Sequence, residues 1–161
     1  AERLVALIVT LGGMLVFSFL VSILTDKMAH VMEDVSEGRG PLVLQNHTII
    51  LGWTDVILPL IEEIAEADAS EGGGTIVVLA QEPKEAMESE IEVSIAHKLQ
   101  QSTVLCRSGA PFVLQQLALT SPHTARSIVV LSDTTLPPAE ADKDALRIVL
   151  CLRAMGMSCY Q

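Results

Sequence analysis

The residues best placed to do chemistry are one glycine and a scatter of carboxylates. Residues 47–55 read HTIILGWTD, an apolar run, a glycine and then residues that can start a helix. A dinucleotide-binding G-x-G-x-x-G loop opens in this way. The first glycine is present as Gly52, but the second and third positions hold Thr54 and Ile57. A pyrophosphate needs bare backbone there, and Trp53 and Thr54 would crowd it. Asp55 would repel a phosphate from the positive end of the following helix. Conventional NAD(P) binding is therefore disfavoured. Gly52 would still serve a sharp turn from strand to helix, with Thr54 and Asp55 capping that helix through their side-chain oxygens.

The acids point towards a cation. In NAD-binding domains an acid near the end of the second strand holds the ribose. Here that region reads Ala80, Gln81, Glu82, so Glu82 comes one residue late if Gln81 holds the position. Asp55, Glu82 and Asp133 fall at the ends of three expected strands and are the candidate metal carboxylates. Asp133, Glu140, Asp142 and Asp144 cluster where the fourth strand gives way to a helix. Acids in a first helical turn also suit the helix dipole with no ligand at all. Glu85, Glu88 and Glu92 oppose Met87, Ile91 and Ile95, as on the solvated face of an amphipathic helix. His30, His47, His97 and His123 sit on different elements with no ligand spacing, and a lone imidazole without a placed partner does no acid–base work. No Ser/His/Asp or Cys/His set is visible, so the chain reads as a non-enzyme.

Four strand-helix units position these residues. Strands are expected over 47–53, 75–80, 102–109 and 125–133, with helices over 54–70, 83–99, 110–119 and 137–156. Pro59 falls in the early turns of its helix, Pro83 near a start, Pro137 or Pro138 at a first helical position and Gly156 just past an end. The second and fourth strands are continuous apolar runs, as in parallel strands covered on both faces. Repeats of this length give an α/β fold, a doubly wound, Rossmann-like parallel sheet. Its ligand crevice lies beyond the strand C-termini. There the sequence places Gly52, Trp53, Thr54, Asp55, Gln81, Glu82, Arg107, Ser108 and Asp133. The sheet is expected to be partial, with a bare edge where a fifth strand would begin.

Residues 1–24 are of another kind. Residues 4–24, LVALIVTLGGMLVFSFLVSIL, form 21 residues without a charge. That is roughly 31 Å of helix, close to the hydrocarbon thickness, and predicts a transmembrane helix in contact with lipid. Gly12 and Gly13 lie midway, as a bend or as a place where another helix comes close. Residues 25–41 continue as an amphipathic connector, with Met28, Val31, Met32 and Val35 on one face, ended by Gly38, Gly40 and Pro41. Residues 42–161 make up the α/β domain.

Composition fits this division. The 161 residues are 50% hydrophobic, yet net charge is −10 from 20 acidic and 10 basic residues. Mean hydropathy is +0.46. Glu2 and Arg3 cancel, so the whole negative charge lies beyond residue 24. So acidic a domain is a poor partner for nucleic acid, whose phosphates need a positive surface. Aromatics are 3%, too few for a base-stacking platform. Three scattered cysteines, Cys106, Cys151 and Cys159, make neither a disulfide framework nor a zinc motif and fit a reducing compartment.

A pore helix feeding a glycine-poor Rossmann unit is the order found in channels with RCK-type regulatory domains. GGMLVF (12–17), NHTIILGWTD (46–55), EGGGTIVVLA (71–80), VLCRSGAP (104–111) and DALRIVLCL (144–152) resemble the Castor/Pollux family of plant ion channels, in order along nearly the whole chain. The resemblance implies a homotetrameric cation channel in the nuclear or plastid envelope. Residues 4–24 would be the last pore-lining helix, with Gly12 and Gly13 as a gating hinge. Residues 42–161 would be the first lobe of a gating-ring domain, regulated by calcium. The chain departs from the family at Gln81, where an acid is usual, and at Pro59 and Pro137–Pro138. The alternative is a membrane-anchored NAD(P)-dependent oxidoreductase, against which stand the missing glycines and the lack of a catalytic pair. A plain membrane tether for a scaffold domain is a third reading.

Overall fold

The β-branched runs of the second half pair in parallel. The computed structural model describes residues 2–36, 42–132 and 137–156, and within the first helix the side chains of residues 2, 3, 10–25 and 28. It divides into two units, residues 1–36 and 37–161.

The first unit is one helix, α1 (Glu2–Ser36), of 35 residues. It runs without interruption through Gly12 and Gly13, where an added Cβ would meet no heavy atom of the described chain within 4 Å. Its side chains over residues 10–25 are all exposed, Leu11, Met14, Phe17 and Phe19 among them. Among the described residues no helix is long and apolar enough to cross a membrane. The expected crossing is therefore not borne out at this level: the described side chains cover residues 10–24 of it, and those of residues 4–9 lie outside the described set. Of the expected connector face only the side chain of Met28 is described, and it is exposed.

The second unit holds β1 (Thr48–Leu51), α2 (Ile57–Ala69), β2 (Thr75–Ala80), α3 (Lys84–Ile95), β3 (Thr103–Ser108), α4 (Leu114–Ala118), β4 (Ser127–Val130) and α5 (Pro138–Ala154). Single 3₁₀ turns follow α3 (Ala96–Lys98) and α4 (Pro122–Thr124). The sheet order is β3-β2-β1-β4, parallel throughout, with Ile49 level with Val77 on one side and Ile128 on the other. Side chains alternate across the strands. Ile50, Ile76 and Val78 face Ile57, Ile61, Met87 and Ile91 of α2 and α3. Ile49, Leu51, Val77 and Leu79 face Leu117, Ile148 and Leu152 of α4 and α5. Helices on both faces of a parallel sheet give the doubly wound, Rossmann-like arrangement.

Three expectations need correcting. The first concerns α2, which begins at Ile57 with Val56, and not Thr54 or Asp55, at its N-cap position and no side-chain cap bond there. They lie in a preceding turn closed by Ile57 N–H to Thr54 O at 3.0 Å, which displaces the helix start by one turn. Second, the helix expected over 110–119 shrinks to α4, because Val113 is extended. Third, β4 was expected to be covered on both faces, but as an edge strand it is only half-buried. The proline and glycine punctuation fits: Pro59 is third in α2, Pro138 opens α5, and Gly156 follows α5 at φ 80°.

Candidate functional site

The sheet order fixes where a crevice can open. β2 and β3 lie to one side of β1 and β4 to the other, and the helices that follow β1 and β4, α2 and α5, pack on opposite faces, so a crevice opens between the C-terminal ends of these two strands. A cavity of about 400 Å³ lies there. The turn after β1 supplies Gly52, Trp53 and Thr54, and the end of β2 supplies Gln81 and Glu82. Opposite them stand Pro111 and Phe112, with Leu131 and Ser132 after β4. The first turns of α5 close the cavity with Ala141, Asp144, Ala145 and Ile148.

Gly52 is required by geometry. Its φ is 109°, and a Cβ there would lie 3.1 Å from the carbonyl oxygen of Leu131. Gly52 N–H donates to Leu79 O at 2.9 Å and Leu131 N–H to Leu51 O at 2.9 Å, so the turn is anchored to both neighbouring strands. Trp53 packs on the α2–α3 core. Thr54 Oγ1 is buried without a hydrogen-bond partner. A buried hydroxyl without a partner costs desolvation with no return.

The α5 wall is organised by charge and ring contacts. Arg147 donates to Asp144 Oδ1 at 3.1 Å and stands 6.0 Å from the Phe112 ring centroid. Cys151 Sγ donates to Phe112 O at 3.1 Å. Among the described residues lining the cavity there is no lysine, arginine or histidine, while Glu82 and Asp144 are present. Arg147 offsets Asp144, which leaves Glu82 as the unneutralised charge in that lining.

The structure brings Gly52, Trp53, Thr54, Gln81 and Glu82 together in one cavity, as the sequence placed them. Asp55 is exposed and does not line it, because the turn carries that residue outward. Arg107 and Ser108 end β3, one strand beyond β2, and do not line it either. Arg107 Nη1 donates to Cys106 O at 3.4 Å, and its Nε is buried without a partner. Asp133 lies outside the described residues. Among the described residues no group of three or more His, Cys, Asp or Glu could hold a metal ion. Of the carboxylates expected to hold calcium, Glu82 lines the cavity and Asp55 does not; Asp144, which Arg147 engages, stands with Glu82 there.

Sequence reasoning missed Phe112 and Pro111, since nothing local marks them as cavity walls. It also missed a polar network at the opposite end of the sheet. Asp68, only 4% exposed, accepts from Arg126 Nη2 at 2.5 Å. The same guanidinium reaches Thr48 Oγ1 at 3.4 Å and Glu71 Oε2 at 3.5 Å. A Cβ at Gly74 would fall 2.2 Å from Asp68 Oδ2, and one at Gly73 would fall 2.4 Å from Gln101 O. The EGGG run was the available signal: it leaves room for this ion pair and for the return to β2.

His47, expected to be structural or solvated, is fully buried and structural, with Nε2 donating to Thr120 O at 2.8 Å. The Cys106 thiol is buried, and burial, with Glu88 adding to it, pushes its pKa up to about 12.

The ordered blocks that carry the resemblance, now set on a doubly wound sheet, have counterparts over almost the whole chain. It is 39% identical over 150 residues, 93% of its length, to "Probable ion channel CASTOR" of Oryza sativa subsp. japonica. It belongs to the Castor/Pollux family. "Ion channel CASTOR" of Lotus japonicus matches at 39% over 93% of the chain, and "Probable ion channel POLLUX" of Arabidopsis thaliana at 37% over 93%. The chain spans only 17% of the two CASTOR proteins and 18% of the POLLUX protein. No protein-family model matches it.

Proposed function

We propose that this Castor/Pollux chain is the gating-linked part of a ligand-regulated cation channel. In this reading α1 lines the pore among identical helices of a tetramer, and the α/β unit converts ligand binding into movement of that helix. The observation that carries it is likeness to proteins named ion channels over 93% of the chain. Two features of the structure support it. α1 is apolar and exposed on every described side between residues 10 and 25, and such a helix needs a non-aqueous surrounding. It contains an uncharged run, residues 4–24, of the length a bilayer requires. The crevice also carries the carboxylates of Glu82 and Asp144 in its lining. A ligand there shifts gating only by binding one state better than the other. Gly12 and Gly13 are the proposed hinge, and the membrane is that of the nuclear or plastid envelope.

The full-length protein in planar bilayers provides the test. Selective cation currents should appear, and Gly12→Ala/Gly13→Ala should change open probability at unchanged conductance. Glycosylation sites placed before and after residues 4–24 should report opposite compartments; the same compartment on both sides would remove the helix from the membrane. Calorimetry with calcium, ATP, NADH and NADPH should favour calcium, the regulator that the resemblance implies. Tight NADH binding without a calcium response would replace the channel with the anchored oxidoreductase.

A further inference from the structure

Unit 2 meets the chain coming from α1 through residues 42–47, which form neither helix nor strand. This segment is clasped along its length to residues 119–124, the turn between α4 and β4. Leu42 N–H donates to Leu119 O at 2.8 Å, and Ser121 Oγ donates to Leu42 O. Thr124 Oγ1 donates to Leu44 O at 2.6 Å, and Asn46 N–H donates to Thr124 O at 2.9 Å. At the base, His47 Nε2–H donates to Thr120 O, and Arg126 N–H to His47 O at 2.8 Å. Both partners carry a non-glycine residue in the left-handed region, Asn46 at φ 55° and Ser121 at φ 50°. Such conformations persist only where the surroundings hold them.

The clasp lies at one end of β4 and the crevice at the other. β4 begins at Ser127, just past the clasp, and leads to Leu131, whose carbonyl stands against Gly52. β1 runs alongside, between His47 in the clasp and Gly52 in the crevice. Two adjacent strands thus join the entry of the chain to the crevice as a short, rigid lever. We infer that this clasp is the joint through which the state of the crevice reaches α1. Loosening it would free residues 42–47 and relax the Leu131 end of β4 with them, while the β2–β3 side of the sheet keeps its hydrogen bonds. The inference rests on the channel reading for its effect at the pore, but the joint itself is set by the hydrogen bonds above.

The test uses the full-length protein carrying Ser121→Ala and Thr124→Val together, with Thr124→Ser as the variant that keeps the hydroxyl. Backbone hydrogen exchange at the Leu42 and Asn46 amides should rise about tenfold in the double variant, the loss expected from two hydroxyl donors. The Leu131 amide, at the far end of β4, should quicken with them. Amides on the other side of the sheet, Thr103 and Gly109, should keep the wild-type rate, and Thr124→Ser should match wild type throughout. Single channels of the double variant should show an altered open probability at unchanged unit conductance. A Leu131 amide that does not respond, or a uniform rise at every amide, overturns the inference whether or not the protein conducts. Unchanged open probability beside a quickened clasp overturns it as well. Absence of current from the wild type strikes the proposed function instead, and the exchange pattern then decides the joint alone.

Discussion

Gly52→Ala probes the crevice at the place where two strands and a turn converge. At φ 109° an L-residue is strained by about 1–3 kcal/mol, since this backbone region belongs to glycine. The new Cβ would also lie 3.1 Å from Leu131 O and 3.4 Å from Leu131 Cβ. That carbonyl cannot step aside cheaply, because Leu131 N–H is bonded to Leu51 O at the end of the β1–β4 ladder. Crowding of this kind adds about 1 kcal/mol. The expected loss is about 2–4 kcal/mol, or on the order of 10 °C in melting temperature for a unit of this size. Trp53, the chain's single tryptophan, is the next residue and lines the same cavity, so its fluorescence follows guanidinium unfolding at the site itself. Gly72→Ala is the internal comparison: its φ is 91°, but no atom lies within 4 Å of the added Cβ. It should lose only the strain, about 1–3 kcal/mol. If Gly52→Ala cost less than Gly72→Ala, or less than about 1 kcal/mol, the close approach of Leu131 would not be what reserves the position for glycine.

Other substitutions test the rest of the molecule. Arg126→Met should cost about 2–4 kcal/mol in chemical denaturation by leaving the buried Asp68 without its nearest partner; adding Asp68→Leu should recover part of that loss. Thr54→Val should leave stability in chemical denaturation unchanged or raise it by up to about 1 kcal/mol, because it removes a buried hydroxyl with no partner. A drop in stability instead would mean the hydroxyl is already satisfied. The folded Cys106 pKa, about 12, lies above the reference value of 9.0, so its contribution is constant below pH 9 and is lost as pH climbs from 9 towards 12. Denaturation at pH 8, 9 and 10 should show stability falling by up to about 1.4 kcal/mol per unit, and Cys106→Ala should flatten that decline.

The repeated strand-helix rhythm made the α/β class legible in the sequence, since a fully covered strand such as TIVVLA must be apolar on both faces and a helix such as ILPLIEEIAEADA on one. The same local logic placed Gly52, Thr54 and Glu82 beyond strand ends, because a glycine stop after an apolar run marks a turn wherever the strand lies. Pro138 and Gly156 marked the ends of α5 for reasons internal to one helix. What the sequence left open depends on lateral order. The arrangement β3-β2-β1-β4 puts β3 a strand away from the crevice, which removes Arg107 and Ser108 from it, and puts β4 at an edge, which leaves its apolar run half-covered. Phe112 became a wall and Asp68 met Arg126 only through contacts between segments far apart in the chain. A one-dimensional pattern records which face of an element is apolar; which neighbour covers that face, and which side chains meet at its end, is set by packing in three dimensions.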